Sequence, residues 1–519
     1  MPVDTPAWVR DAVFYEIFPD RFAASDRVPK PGSLQAWSAP PTNYGFKGGD
    51  LLGIVEHLDH IASLGANALY LTPVFQSASN HRYHTYDYFA VDPLLGGDAA
   101  LRELLDTAHA RGIRVVLDGV FNHTGRGFWA FHHVLETGGG SPYRNWFVFD
   151  QEALDRGLPV DAYPGAHQRV GLNGGAPIAG VVPGGSGDSK ARIGYEAWWD
   201  LPPLPKLNVA EPAVREYLWS VAEHWLRFGI DGWRLDVPAE IQDPPFWAAF
   251  RRRCRAINPD AYLVGEIWHV APEWVAGDRF DALMNYPLAQ AIIGFVGGQA
   301  LNESLLRTHH EYGRVVRLDG AAFGTRLTSL LGAYDPAITA VQLNLLSSHD
   351  APRVLSILGG DRRALELAVL AQATLPGAPS VYYGDEIGLL GGIDPDNRRA
   401  FPWDEGDWDA ELLDWTRRAF QLRHREPLLR ARGGTGVVSA EAGAIAFERA
   451  DAEGRLAVVI NAGTTRVAIL AARHAGAGRP ADVLLATAGA AGPMAVVVGA
   501  DGELRLDVPA RSGIVVRVP

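Results

Sequence analysis

Apolar and polar positions change period repeatedly between about residue 12 and residue 430. Short runs rich in Val, Leu and Ile, bounded by Gly or Pro, alternate with longer segments whose apolar residues return at helical spacing. The runs AVFYEIF, NALYLTPVF, RVVLDGVF, GWRLDV, AYLVGEI, FDALMNY, AVQLNLLSSH and PSVYYGDEI are the strand candidates. They are largely continuous rather than alternating, as strands buried on both faces require. Between them LDHIASLG, AALRELLDTAHARG, AVREYLWSVAEHWLRFG and ALELAVLAQATLPG have helical spacing and stop at Gly. Eight strands alternating with helices predict an α/β chain whose parallel strands close into a (β/α)8 TIM barrel.

Two stretches break the pattern. After the third strand, in DGVFNH, a segment rich in Gly, Pro and aromatics runs on to WWDLPPLPKLN. That is too long for an ordinary βα loop and predicts an excursion domain over the barrel mouth. From about residue 432, short alternating runs such as AIAFERA, LAVVINA and LRLDVPA predict a C-terminal antiparallel β-domain. The predicted organisation is a barrel in two parts, 1–123 and 201–430, an excursion at 124–200 and a β-domain at 431–519. No fixed-period repeat is present.

Four acidic residues end apolar runs: Asp118 in DGVFNH, Asp236 in GWRLDV, Glu266 in GEIW and Asp350 in SSHD. A barrel gathers the carboxyl ends of its strands in one mouth, where chemistry sits in that architecture. Paired carboxyl groups there can serve as nucleophile and acid/base, the arrangement that breaks a glycosidic bond. Arg234 precedes Asp236 by two positions, and in a strand such positions share a face. Its guanidinium would favour the ionised carboxylate that a nucleophile needs. Glu266 has no cation beside it in sequence, and Ile267 and Trp268 are apolar, surroundings that suit a general acid. Any one of these strings alone reads as readily as a helix cap or a surface ion pair, so the weight lies in all four occurring together.

Composition narrows the partners. The net charge of −13 excludes a general nucleic-acid or anionic-membrane binder. No apolar stretch is long enough to cross a bilayer, and the N-terminus lacks a basic region followed by an uninterrupted apolar one, so the chain reads as unexported and cytoplasmic. The single cysteine, Cys254, forms no internal disulfide and reads as a helix residue. Arg251, Arg252, Arg253 and Arg255 read as a solvated helix face. Histidines 57 and 60, 132 and 133, and 309 and 310 have no HExxH or Cys-pair company and read as packing, not as a metal site. The Gly-rich loop 180–190 lacks the Gly-Lys-Ser/Thr of a phosphate loop and reads as cover over the cleft. Trp129, Trp146, Trp198 and Trp199 read mostly as core, with those of the excursion able to stack on sugar faces.

The four acidic segments resemble the four sequence regions of the α-amylase family of glycoside hydrolases, through the barrel from about residue 8 to 430. The resemblance implies that Asp236 is the nucleophile, Glu266 the acid/base and Asp350 the carboxylate that grips ring hydroxyls. It implies that Asp118 and Arg234 support the nucleophile and that His123 and His349 bind hydroxyls of the same sugar, which stacks on Tyr83. It also implies that Asn122 holds the excursion against the barrel. LPKLN, residues 204 to 208, is similar to the MPKLN string of the cyclomaltodextrinase, neopullulanase and maltogenic amylase group, as are GEIWH, FDALMNYP and YYGDEIGLLGGIDPDNRR. By that similarity Asp394 and Arg398 contact the next sugar on the non-reducing side, and Trp268 lines the acceptor side.

What the resemblance implies is a retaining hydrolase of α-1,4 and also α-1,6 links in cyclodextrins, malto-oligosaccharides, pullulan or starch. The alternatives on this fold are a transglycosylase or an exo-acting α-glucosidase. A non-catalytic sugar-binding protein is opposed by the intact acidic residues. Most of that group carry a β-domain before the barrel that builds a dimer. Here the barrel begins near residue 8, so a dimer of that kind is not expected and the oligomeric state stays open. No cofactor is required. A structural calcium ion is allowed, although Glu240 stands where calcium-dependent amylases tend to have His. The second calcium loop keeps GGD at 48–50 and Asp26 but has Ala24 in place of Asn.

Overall fold

Each of the eight apolar runs becomes a strand in the computed structural model, which describes residues 3–164, 188–473, 476–490 and 496–519. They are β1 (Phe14–Ile17), β2 (Ala68–Leu71), β3 (Arg114–Gly119), β4 (Gly232–Leu235), β5 (Tyr262–Gly265), β6 (Ala282–Leu283), β7 (Leu343–Leu345) and β8 (Ala378–Tyr382). Apart from Arg114 at the start of β3, every residue in them is buried. Burial on both faces is what unbroken apolar runs provide. The sheet order is β6-β5-β4-β3-β2-β1-β8-β7, and a parallel bridge from Met284 to Leu343 joins its two ends. The predicted barrel is the observed architecture.

By compactness the chain falls into two units. In the unit made of Phe18–His57 and Tyr70–Glu266, β3, β4 and β5 pair in parallel, with Asp118 opposite Arg234 and Arg234 opposite Val264. Helices Gly97–Ala110, Pro212–Phe228 and Pro244–Ile257 bury their apolar faces around them. Between β3 and Pro212 the described chain is held by short helices and by isolated bridges, among them His123 with Lys206 and Phe149 with Tyr195. Phe131, Phe147, Phe149 and Tyr195 form an aromatic core there. Trp129 and Trp199 are 42% and 38% exposed, so the reading of those tryptophans as core fails for these two. Residues 180–187 of the loop read as a cleft cover lie outside the described residues.

The helix bearing Cys254 corrects one further reading. Cys254 is buried, and so is Arg251, while Arg253 pairs with Glu216 and Glu223. The basic run is therefore partly an interhelical ion network rather than a solvated face.

The other unit, Met1–Ile17, Leu58–Leu69 and Ile267–Pro519, contains β1, β8, β7 and β6 and the C-terminal sheets. Six strands there follow the order Gly434–Ala440, Ala444–Ala450, Arg455–Asn461, Ser512–Val518, Pro480–Ala486, Val496–Val497, with Val467–Ala472 paired to Leu504–Val508 apart. All these pairs are antiparallel, as the alternating pattern predicts. The buried Arg449 of Ala444–Ala450 donates to the Thr374 carbonyl at 2.8 Å, tying this sheet to the helix Arg362–Thr374.

Candidate active site

Opposite residues on neighbouring strands point to the same face, so the β3–β4 register sets Asp118 beside Arg234. Arg234 Nη1 donates to both oxygens of Asp118, at 2.9 and 2.8 Å. Asp236, two positions on and therefore on the same face, places Oδ1 3.0 Å from the same Nη1. Glu266, just beyond β5, places Oε2 3.0 Å from Arg234 Nη2 and accepts the Val237 main-chain N–H at 3.0 Å. Asp118 Oδ2 also accepts the hydroxyls of Tyr70 and Tyr83, at 2.7 and 2.8 Å. One fully buried guanidinium thus holds three carboxylates. Burial opposes its charge, yet the attraction of Asp118 and Glu266 prevails and raises its pKa well above the ordinary value.

Glu266 corrects an expectation. Its sequence neighbours offer no cation, but the fold supplies Arg234 from the adjacent strand. Val237, directly after Asp236, has φ 36° and ψ 50°. This left-handed conformation is rare for a β-branched residue and costs on the order of 1–3 kcal/mol. The turn it makes points its N–H at Glu266.

His123 is buried, and its ring stacks on Trp198 at 5.1 Å, which stacks in turn on the half-exposed Trp199 at 5.1 Å. Burial, reinforced by His84 and Lys206, lowers its pKa to about 3, so the ring is neutral at physiological pH. The Asn122 carbonyl accepts the N–H of Leu207 at 2.9 Å and links the end of the third strand run to the LPKLN segment.

A second cluster stands in the other unit. His349 Nε2 is 2.9 Å from Asp350 Oδ2, and Arg398 Nη2 is 3.2 Å from Asp350 Oδ1. Arg398 also pairs with Asp394 at 3.0 Å through Nη1 and donates through Nε to the His349 carbonyl at 2.9 Å. The Trp268 ring stacks on Tyr286 at 3.5 Å and lies 5.6 Å from His309, whose Nε2 is 2.9 Å from the Asp350 carbonyl oxygen. The structure therefore joins Tyr83, Asp118, Arg234, Asp236 and Glu266 in one network and His349, Asp350, Asp394 and Arg398 in another. His123 and Trp268 stand in ring stacks.

Three residues in these networks are absent from the sequence reading as site residues. Tyr70 sits on Asp118. His309, read only as packing, touches Asp350 and Trp268. Glu16 on β1 accepts the His349 main-chain N–H and lies 2.7 Å from its ring Nδ1. A charged residue inside the fully buried run FYEI was the available signal for Glu16.

The loci where calcium was allowed carry ammonium groups instead. Asp50 is fully buried, and its Oδ2 is 2.9 Å from Lys30 Nζ and accepts the Ser25 N–H at 2.9 Å. Its Oδ1 caps the helix Leu51–Glu56 through the Gly53 N–H at 2.7 Å. Lys30 donates again to the Leu94 carbonyl at 2.9 Å. Glu240 lies 3.7 Å from Lys206 Nζ, which is 3.0 Å from Glu196. Calcium takes six to eight oxygens, whereas three of the about four acceptor positions of the Asp50 carboxylate are taken by N–H donors, one of them an ammonium. These residues do not fit a calcium ion, and among the described residues no three acidic, His or Cys side chains converge as a metal site.

The sequence matches the model of the α-amylase catalytic domain over residues 16–417. A cyclomaltodextrinase from a Bacillus species is 41% identical over 467 residues, 89% of this chain and 75% of that protein. Neopullulanase 2 of Thermoactinomyces vulgaris is 38% identical over 461 residues, 88% of this chain and 70% of its own length. Among solved structures, the debranching enzyme of Nostoc punctiforme is similar with a TM-score of 0.85 and 44% identity, over 100% of both chains.

Proposed function

The chain belongs to the α-amylase family, as a glycoside hydrolase acting on α-glucans, and from that membership we propose a retaining enzyme that cuts α-1,4 links by double displacement. The observation that carries this reading is the single guanidinium bridging Asp236 and Glu266. It sets the two carboxyl groups around one guanidinium, which supports a paired nucleophile and acid; in retaining enzymes such a pair stands about 5 to 5.5 Å apart.

In the first step the Asp236 carboxylate attacks the anomeric carbon while the bond from that carbon to the glycosidic oxygen breaks. Glu266 gives its proton to the departing oxygen, leaving a glycosyl ester on Asp236 and an ionised Glu266. In the second step Glu266 takes a proton from water as the water oxygen attacks the same carbon, and Asp236 leaves as carboxylate. Two inversions give a product with the original α configuration. Asp118, Tyr70 and Tyr83 fix Arg234 against the nucleophile. Asp350, held between His349 and Arg398, takes the hydroxyl-binding role that the family resemblance gives it. Arg398 and Asp394 meet the next sugar, and Trp268 on its Tyr286 platform faces the acceptor.

We propose cyclodextrins, malto-oligosaccharides and pullulan as substrates, by analogy with the names of the relatives, with α-1,6 links also cut. Incubation with β-cyclodextrin, maltotriose, pullulan and starch should release maltose or glucose whose first-formed anomer is α by NMR. A β product would overturn retention. Added glucose tests the transfer reading, since a transglycosylase would convert it into new oligosaccharides in preference to hydrolysis.

We propose no metal in either step. Dialysis against EDTA should leave the melting temperature within about a degree of the untreated protein, as should added calcium. Lys30→Met leaves Asp50 buried and unpaired, a loss of about 3 kcal/mol or more, read as a lower Tm. A chelation-induced drop in wild-type Tm would overturn this account.

A further inference from the structure

Glu16 is fully buried in the middle of β1, where every neighbour along the strand is buried too. A carboxylate in such a place is costly unless it is hydrogen-bonded and paired. Its Oε1 accepts the His349 main-chain N–H at 3.1 Å and contacts the ring Nδ1 at 2.7 Å. The other ring nitrogen, Nε2, faces Asp350 Oδ2 at 2.9 Å. An ionised carboxylate only accepts hydrogen bonds, so an imidazole with a carboxylate at each nitrogen satisfies both only when both nitrogens carry protons.

The rest of the surroundings is consistent with a cation there. Arg398 Nε and Asn397 Nδ2 donate to the His349 carbonyl, at 2.9 and 2.7 Å, and fix its main chain. Tyr312 and Tyr382, the buried tyrosines that sense Glu16, have raised pKa values through burial and stay neutral. Asp385, raised to about 6 by burial, is tied to Arg353 at 3.0 Å and to Ser347. Arg398 is a further cation on Asp350, and His309 meets the Asp350 carbonyl oxygen. Burial alone would lower the His349 pKa, but Asp350 and Glu16 outweigh it and push it up to about 10.

We propose that Glu16 is a positioning residue for the reaction: it holds the His349 ring doubly protonated and turned so that Nε2–H meets Asp350, which keeps Asp350 ionised and aimed. This rests on the role given to Asp350 in the proposed function. The second oxygen of Glu16, Oε2, is buried with no hydrogen-bond partner. Glutamine at this position keeps the accepting oxygen and the shape and removes the charge, while placing a buried amide NH2 where Oε2 has no partner.

Glu16→Gln separates charge from structure. The His349 ring resonances in the wild-type protein should titrate only above about pH 9, and in Glu16→Gln at least one pH unit lower, a tenfold change in protonation equilibrium. With maltotriose as substrate, the ratio of variant to wild-type kcat/KM, in which the titration of the acid Glu266 cancels, should fall across the pH range between the two His349 titrations. Near pH 6, where the ring is protonated in both proteins, the kcat/KM ratio should be flat with pH, and any constant loss there, like a lowered Tm, reads the buried amide and not the charge. Superimposable His349 titrations in the two proteins would overturn the protonation claim. A shifted titration with a kcat/KM ratio that stays constant across that range would overturn the positioning role. If the wild type turns over no α-glucan, the function reading fails and the role fails with it, while the titration still decides the protonation.

Discussion

Asp236→Asn is expected to fold normally and to lose turnover of maltotriose and β-cyclodextrin by roughly four orders of magnitude or more, the scale seen when a catalytic nucleophile is removed. The amide keeps the size of the carboxylate, and its oxygen can still accept from Arg234 Nη1, now 3.0 Å away. What disappears is the negative oxygen that forms the glycosyl ester. Folding should not suffer, because Asp118 and Asp236 set two negative charges against one guanidinium, with the acid Glu266 beside them. Removing one charge relieves like-charge repulsion at that centre, so the variant's Tm should match or exceed wild type. Turnover within tenfold of wild type would rule out Asp236 as the nucleophile. A parallel Tm and circular dichroism measurement distinguishes lost chemistry from lost structure.

The parts of this site that depend on positions along one strand were legible in the sequence. Arg234 and Asp236 share a face because they are two apart, and the ion pair follows from that alone. The eight barrel strands were legible for a related reason: a strand buried on both sides must be written as an unbroken apolar run. Partners that arrive across strands were not legible. Nothing near Glu266 in sequence announces Arg234, because their contact depends on the β4–β5 pairing, in which Leu235 meets Gly265. Tyr70 and Glu16 were hidden in the same way, each inside a run whose hydrophobicity marked it as core. The exposed Trp199 was misread because composition reports how often a tryptophan is buried, not which one a left-handed turn pushes outward, here at φ 53°.

Arg234→Met should be the most damaging single change to the fold as well as to catalysis. Methionine can fill much of the volume, but it leaves the side chains of Asp118, Asp236 and Glu266 at 0%, 8% and 5% exposure with no cation among them. Breaking a buried ion pair by removing one partner costs about 3–5 kcal/mol, and here one guanidinium serves three partners. The stranded carboxylates would bind protons more readily in the folded variant than in its unfolded chain. Stability then falls as pH rises through the range where they ionise, so the Tm deficit against wild type should be larger at pH 8 than at pH 5. Adding Asp118→Asn to Arg234→Met removes one stranded charge and should recover part of the loss. An Arg234→Met protein that melts with wild type at both pH values would show that the guanidinium does not hold this cluster. The bridge between Asp236 and Glu266 would then lose its place as the support for retention.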